Sequence, residues 1–188
     1  MKSSIALKAL LPILALLAVP ICHAVPQESA GPFHQGKVIS DFGNVADVES
    51  DVVIPPGTEL KVRFDVGRKA RAGSINSTFD SAARFINLNV AAGVPQENIR
   101  VAIVVHGSAA LEVTKQEFYG AKNQGRKNAS DEAVATLRKH NVEFFLCGQS
   151  AAYQGIKKKD VLEGVKVAPS AMTMHALLDQ QGYSLNPF

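Results

Sequence analysis

Cysteine is scarce in this chain of 188 residues, which contains only Cys22 and Cys147. No Cys-x-x-Cys or His-x-x-x-His spacing occurs either, although close-set pairs of this kind are the usual sign of a protein metal site. We therefore predict no metal. Met172, Met174 and His175 could in principle join a cysteine in a soft metal site, but the two methionines are better explained as core residues.

The sequence also lacks an apolar run long enough to cross a membrane. Residues 9–19 are apolar, and this run is shorter than the ~18 to 20 residues that a span needs. Lys2 and Lys8 give the segment a positive start, and small residues precede a cleavage point after Ala24. These features predict that residues 1–24 are a secretory signal peptide, in preference to a retained anchor or a lipid on Cys22.

Removal of this leader changes what the remaining cysteine can do. Cys147 becomes the single cysteine of the mature chain, so an internal disulfide is excluded. Three possibilities stay open for the thiol: it is buried and inert, it pairs between chains, or it reacts.

Excess charge of either sign is missing too. The full chain has 20 basic and 17 acidic residues, and the loss of Lys2 and Lys8 with the leader leaves a formal charge of +1. This balance predicts neither a nucleic-acid partner nor an anionic membrane partner for the mature protein. The 164 residues after Ala24 are enough for one domain of ordinary size.

Familiar cofactor and catalytic motifs are absent. The sequence has no Gly-x-Ser-x-Gly elbow and no dinucleotide fingerprint. Residues 120–127 imitate a phosphate loop in glycine spacing, but Arg126 stands where the lysine belongs and Lys127 where Ser or Thr belongs. We therefore predict no cofactor.

What the chain does contain is an alternation of strand and helix patterns after residue 58. Apolar runs of strand length and helical repeats follow one another in the order β-α-β-α-β-α-β-α-β. This order predicts an α/β fold, doubly wound, with a largely parallel five-stranded sheet and helices on both faces. Residues 25–57, rich in Pro and Gly, predict an irregular arm with a short edge hairpin.

Three local predictions accompany this scheme. Residues 59–66 alternate apolar and polar side chains, which predicts a strand whose polar face is less covered than that of its neighbours. Residues 111–128 are interpreted as a loop. A helix is predicted to begin with Ser130 as its N-cap, followed by an acidic first turn.

Two of the predicted strands end in a functional side chain followed by glycine, His106-Gly107 and Cys147-Gly148. The carboxyl edge of an open α/β sheet is where ligands bind. If the strands are neighbours, the imidazole and the thiol could form an ion pair or exchange a proton. We predict Cys147 and His106 as catalytic residues, and Gly107, Gly148, Gln149 and Ser150 as ligand-binding residues.

Structural alternatives exist for both catalytic candidates. A free cysteine is among the most buried residue types, so Cys147 could be a small apolar residue at a strand end. His106 could be a turn residue bonded to the backbone.

Four segments together resemble one known family. They are Val104-Val105-His106-Gly107, residues 142–150 around Cys147, residues 164–171 leading into the last helix, and Gln181-Gly182-Tyr183 with the terminal Pro187-Phe188. On these segments, the chain from about Leu60 onward resembles the DsrE/DsrF-like family, in particular its small exported single-domain members.

The resemblance implies a doubly wound fold that assembles into homo-oligomers, commonly trimers or hexamers. In sulfur-handling members a cysteine carries sulfur as a persulfide, and Cys147 is similar to it in placement. We therefore expect a periplasmic sulfur or thiol handler that exchanges sulfur with a partner protein or a small thiol. The alternatives are a non-catalytic oligomeric module that binds a small ligand around a packed Cys147, and a redox switch through an intermolecular disulfide.

Overall fold

The computed structural model describes residues 32–71 and 73–187, so the predicted leader and its cleavage site lie outside the described residues. Near the start, β1 (Phe33–His34) and β2 (Val45–Ala46) form a short antiparallel pair. Five further strands form one parallel sheet in the order β6-β5-β4-β3-β7. They are β3 (Leu60–Val66), β4 (Ile99–Val105), β5 (Glu143–Cys147), β6 (Lys166–Ala168) and β7 (Ser184–Asn186).

Helices cover both faces of this sheet, which confirms the predicted fold class. The α-helices are α1 (Ser77–Ala91), α2 (Gln116–Lys122), α3 (Ser130–Lys139), α4 (Gly148–Gln154) and α5 (Ala171–Gln180). Short 3₁₀ segments span Gln96–Asn98, Gly107–Val113 and Lys158–Asp160. In the described part of the chain, no helix has the length and apolar character needed to cross a membrane.

The two faces follow from the direction of the chain. Strands β3, β4, β5 and β6 lie next to one another in chain order. The buried apolar residues of α1, α3 and α4 belong to one cluster with Phe64 and Phe144. After β6 the chain returns across the sheet to β7, beside β3. Right-handed crossovers require this return to use the other face, where Met174 and Leu178 of α5 pack on Val104 and Phe145.

The polar face of β3 is partly covered, with one charged residue exposed and another buried under α5. Asp65 is exposed, but Arg63 is only 9 % exposed because α5 lies over it. Its guanidinium forms an ion pair with Asp179, with Nη2 and Oδ1 2.9 Å apart, and also donates a hydrogen bond to the carbonyl oxygen of Tyr183. Helix α5 therefore balances the charge of this strand instead of leaving it in water.

The predicted loop at residues 111–128 was also wrong, because it contains the end of a 3₁₀ segment and all of α2. This helix has seven residues, too few for a helical repeat to stand out from the sequence. Tertiary contacts hold it instead: the Lys115 amide donates to the Asp160 carbonyl, and Tyr119 is buried.

The start of α3 differs from the prediction by one residue, because its N-cap is Ala129. Ser130 is already helical and buried, and its amide donates a hydrogen bond of 3.1 Å to Oδ1 of Asn128, the residue before the cap. The Asn128 amide group also donates to the carbonyl oxygens of Glu112 and Thr114. The sequence alone could not identify this role of Asn128, because it depends on contacts between segments that meet only in the folded protein.

Residues 32–57 are anchored on α1 by one buried side chain. Oδ1 of Asn87 accepts hydrogen bonds from the amides of Val38 and Ile39, and its Nδ2 donates to the carbonyl oxygens of Ile39 and Gly43. A Cβ on Gly36 would overlap the Asn87 side chain. This part of the chain therefore follows an irregular path around the Asn87 amide group, with further hydrogen bonds to Asp80 and Arg84 of the same helix.

This anchor predicts a large loss of stability in Asn87→Ala. Each buried backbone group left without a partner costs roughly 1–3 kcal/mol, so we expect the free energy of unfolding in urea to fall by about 2–3 kcal/mol. Asn89→Ala on the same helix is the control, because Nδ2 of Asn89 bonds only the Phe85 carbonyl of its own helix. Equal effects of the two substitutions would contradict the anchoring role.

Candidate functional site

The strand ends that carry the two predicted catalytic residues are neighbours. Strands β4 and β5 are paired with Val105 opposite Leu146, so the next residues, His106 and Cys147, lie side by side at the carboxyl edge. Side chains alternate between the faces of a strand. Because Val104 and Phe145 belong to the cluster under α5, His106 and Cys147 project toward the same helix.

The Cys147 thiol is free, 5 % exposed and surrounded by hydrogen-bond donors. Burial raises the pKa of Cys147, but the Ser150 hydroxyl and the backbone amides of Ser150, Ala171 and Gln149 outweigh it, so this pKa lies below its ordinary value. Two of these amides belong to α4 and one to α5. The thiol thus sits where two helices begin, a position that favours the thiolate.

Ser150 connects this thiol to the end of β4. Its Oγ accepts a hydrogen bond from the Gly107 amide at 2.9 Å while its hydroxyl hydrogen is directed at the thiol. Gln149 is held from the other side, since its Nε2 donates to the Pro169 carbonyl at 3.3 Å. The residues that follow the two strands therefore form one connected arrangement around Sγ of Cys147.

His106 is directed at an aspartate and not at the thiol. Its Nε2 lies 3.0 Å from Oδ1 and 3.1 Å from Oδ2 of Asp65. The same Oδ1 is 2.8 Å from Nε2 of His175 on α5. The expected ion pair between His106 and Cys147 is therefore replaced by a cluster of two histidines on one carboxylate, which we call the His–Asp–His cluster (Asp65, His106 and His175).

The carboxylate of this cluster is anionic. Burial raises the pKa of Asp65, but the hydrogen bonds from His106 and His175 and the charges on these residues hold it below its usual value. Asp65 lies at the end of β3, the next strand to β4, and so reaches the same edge of the sheet.

Asp65 and His175 were missed from the sequence, yet a signal for them exists. On β3, Arg63 and Asp65 are two residues apart, and on α5 their partners Asp179 and His175 are four apart. Two strand residues span about 6.6 Å and four helix residues about 6 Å. Because the two spacings are similar and the charges are opposite, the sequence could have predicted that α5 packs against β3.

The glycines after the strands have packing reasons for their presence. Gly107 has a φ of +55°, and a Cβ on it would lie 2.7 Å from the carbonyl oxygen of Gly67. A Cβ on Gly148 would lie 2.7 Å from the carbonyl oxygen of Ala168. These contacts explain why glycine is needed at both positions. They do not test the ligand-binding role of the two glycines, which stays a prediction.

A cavity of about 550 Å³ opens between the Gly107–Val113 segment and α4. Gly107, Gln149 and Ser150 line it with other residues, whereas Gly148 and Cys147 are not among its lining. The same cavity is also lined by Lys69 and by Tyr153, whose side chain is 92 % exposed. Three of the four predicted ligand-binding residues therefore share one cavity, with Ser150 between it and the thiol.

The methionines of α5 have different surroundings. Met174 packs in the core, as predicted, but Met172 is 81 % exposed in the first turn of the helix. Among residues 32–71 and 73–187, no group of three or more His, Cys, Asp or Glu side chains is arranged to hold a metal ion.

Comparison with known proteins identifies the family of this chain. The model of the DsrE/DsrF-like family matches residues 62–187, and the chain belongs to this family, which is generally linked to sulfur metabolism. Similar solved structures include the protein of unknown function MTH1491 from Methanobacterium thermoautotrophicum and the ychN protein from E. coli. Their sequence identities are 17 % and 18 %, and for both the match covers 69 % of this chain and 100 % of theirs with a TM-score of 0.49. No curated protein sequence gives a match.

The donors around the thiol predict a specific pH dependence. Only the thiolate is alkylated by iodoacetamide, so the rate rises as the pH passes the pKa of Cys147. Ser150→Ala removes one donor to the thiolate, and we expect the midpoint of the rate profile to move to higher pH. Ser108→Ala is the control, because this serine lines the same cavity but bonds Gly67 and Lys69. Identical midpoints in the two variants would contradict the arrangement.

Proposed function

We propose that this protein carries sulfane sulfur on Cys147 as a persulfide and passes it to a partner protein or a small thiol. The observation that carries this proposal is the set of donors from α4, α5 and Ser150 that lowers the pKa of Cys147. A thiolate is the nucleophile in exchange reactions at sulfur. Membership of a family generally linked to sulfur metabolism supports the same chemistry.

The transfer needs no external oxidant. The Cys147 thiolate attacks the outer sulfur of a donor R–S–SH, a bond forms between Sγ and that sulfur, and the bond between the two donor sulfurs breaks. The bonding electron pair leaves on R–S⁻, which takes up a proton. An acceptor thiolate then attacks the outer sulfur of the Cys147 persulfide and regenerates the thiolate of Cys147.

The low exposure of Cys147 favours a second candidate. A thiol that is 5 % exposed behind Ser150 fits a packed residue in a module that binds a small ligand without chemistry. The cavity lined by Gly107, Gln149 and Ser150 would be its binding site. The two candidates differ in whether Cys147 reacts in the folded protein.

Export and assembly form the cellular part of the proposal. In this proposal the predicted leader at residues 1–24 directs the protein to the periplasm, and the family resemblance supports a homo-oligomer. Tyr153 on α4 and Met172 on α5 are large and exposed. Both lie on the helices that begin at the thiol, where a second copy or a sulfur-exchanging partner would cover them.

Intact mass tests the persulfide directly. The protein, expressed with its leader and purified after export, is incubated with inorganic polysulfide and its mass is measured before and after reduction. We expect wild type to gain one sulfur atom that reduction removes, and Cys147→Ser to gain none. No added sulfur on wild type, or equal addition to both proteins, would contradict sulfur carriage by Cys147.

Alkylation separates the two candidates. Wild type is treated with iodoacetamide in native buffer and in urea, and the fraction of modified Cys147 is followed by mass. Sulfur carriage predicts that native protein reacts to completion. Modification that occurs only in urea would favour the binding module.

A further inference from the structure

The His–Asp–His cluster has the composition of an acid–base unit. One carboxylate oxygen of Asp65 receives both imidazoles, with its Oδ1 3.0 Å from Nε2 of His106 and 2.8 Å from Nε2 of His175. A carboxylate bonded to one ring nitrogen fixes the orientation of an imidazole and stabilises its protonated form. The cluster can thus hold a mobile proton.

Two contacts fix the His106 ring within this cluster. Its Nε2 is bound by Asp65, and its face lies against Gly67, where a Cβ would come within 2.8 Å of Cε1. In residues 32–71 and 73–187, Nδ1 of His106 has no protein partner. This nitrogen is the one available to exchange a proton with a bound molecule.

The cluster adjoins the thiol on two sides. His106 follows β4 directly beside Cys147 and projects to the same face. His175 lies one helical turn after Ala171, whose amide bonds the thiol. The imidazole of His106 therefore lies at the end of the strand next to that of the thiol and on the same side of the sheet.

The charges around His106 leave Asp65 as its main counterion. Besides Asp65 from β3 and His175 from α5, the neighbouring ionisable groups are Arg68 and Lys69, which line a cavity shared with His106, and Cys147 from β5. Asp65 is therefore the acidic group in direct contact with both histidines.

We propose that His106 donates its Nδ1 proton to the thiolate that leaves when Cys147 accepts sulfur, with Asp65 and His175 as positioning residues. This inference rests on the proposed function and assigns the donor to organic persulfides, R–S–SH. Their leaving group is a basic thiolate, which benefits from an acid.

The step is balanced without any further reactant. The Cys147 thiolate, R–S–SH and the imidazolium of His106 become Cys147–S–SH, R–SH and neutral imidazole. The bond from Sγ to the outer sulfur forms, the bond between the donor sulfurs breaks, and the proton moves from Nδ1 to the leaving sulfur. No sulfur is lost and no electrons are exchanged with another molecule.

Two reactions of the same thiolate test this role in the exported, purified protein. Cysteine persulfide releases a basic alkyl thiolate, whereas iodoacetamide releases iodide, which needs no proton. Rates of persulfide formation and of alkylation are measured by quenching and intact mass. For His106→Gln we expect persulfide formation to slow by about 10²-fold, the lower range for general acid catalysis, with alkylation changed less than about 3-fold.

The positioning residues and a control complete the experiment. Asp65→Asn and His175→Gln should each slow persulfide formation less than His106→Gln does and spare alkylation, and added imidazole should partly restore His106→Ala, whose short side chain leaves room for it. His140→Gln is the control, because His140 follows α3 and bonds Gln96 at 3.2 Å, and both of its rates should match wild type.

Each remaining outcome overturns the inference in a recognisable way. Equal slowing of both reactions in His106→Gln would show that the cluster only supports the structure. Unchanged rates would show that it has no role. Alkylation of wild type without any persulfide formation would overturn the proposed function together with this inference.

Discussion

The candidate site depends on the close approach of two helix starts at the carboxyl edge of the sheet. Helices α4 and α5 begin after the neighbouring strands β5 and β6, and amides from both point at Cys147. The approach is possible because Gly148 has no side chain, since a Cβ there would lie 2.7 Å from the Ala168 carbonyl oxygen. A thiol at this point loses water, which raises its pKa, but the Ser150 hydroxyl and the amides of the two helices lower the pKa by more.

The position of α5 is in turn set by charges on β3. Among residues 32–71 and 73–187, α5 is the helix that packs on this face of the sheet, and Arg63 and Asp65 bind its Asp179 and His175. These pairs fix the register of the helix along the strand, and the same register presents the Ala171 amide to the thiol. The Arg63–Asp179 ion pair and the His–Asp–His cluster therefore share the interface between β3 and α5. A change in either would alter the position of α5 and hence of the Ala171 amide at Cys147.

The sheet could be predicted from the sequence, and half of the site could not. Apolar runs of strand length, ended by His106-Gly107 and Cys147-Gly148, are local signals, and they identified the fold and the edge that carries the thiol. Asp65 and His175 are 110 residues apart, and their pairing depends on the return of the chain across the sheet to β7. Helix α2 was missed for a related reason, because contacts with distant residues stabilise it more than its own sequence does.

The central claim is that the Ser150 hydroxyl and the backbone amides at two helix starts lower the pKa of Cys147. A titration of the folded protein, followed through the carbon-13 chemical shift of the Cys147 Cβ, measures this most directly. The account predicts a midpoint at lower pH than that of the same residue in the urea-unfolded chain, because the amides of Gln149, Ser150 and Ala171 act only in the folded state. A midpoint equal to or above that of the unfolded chain would contradict it, because burial would then outweigh the hydrogen-bond donors.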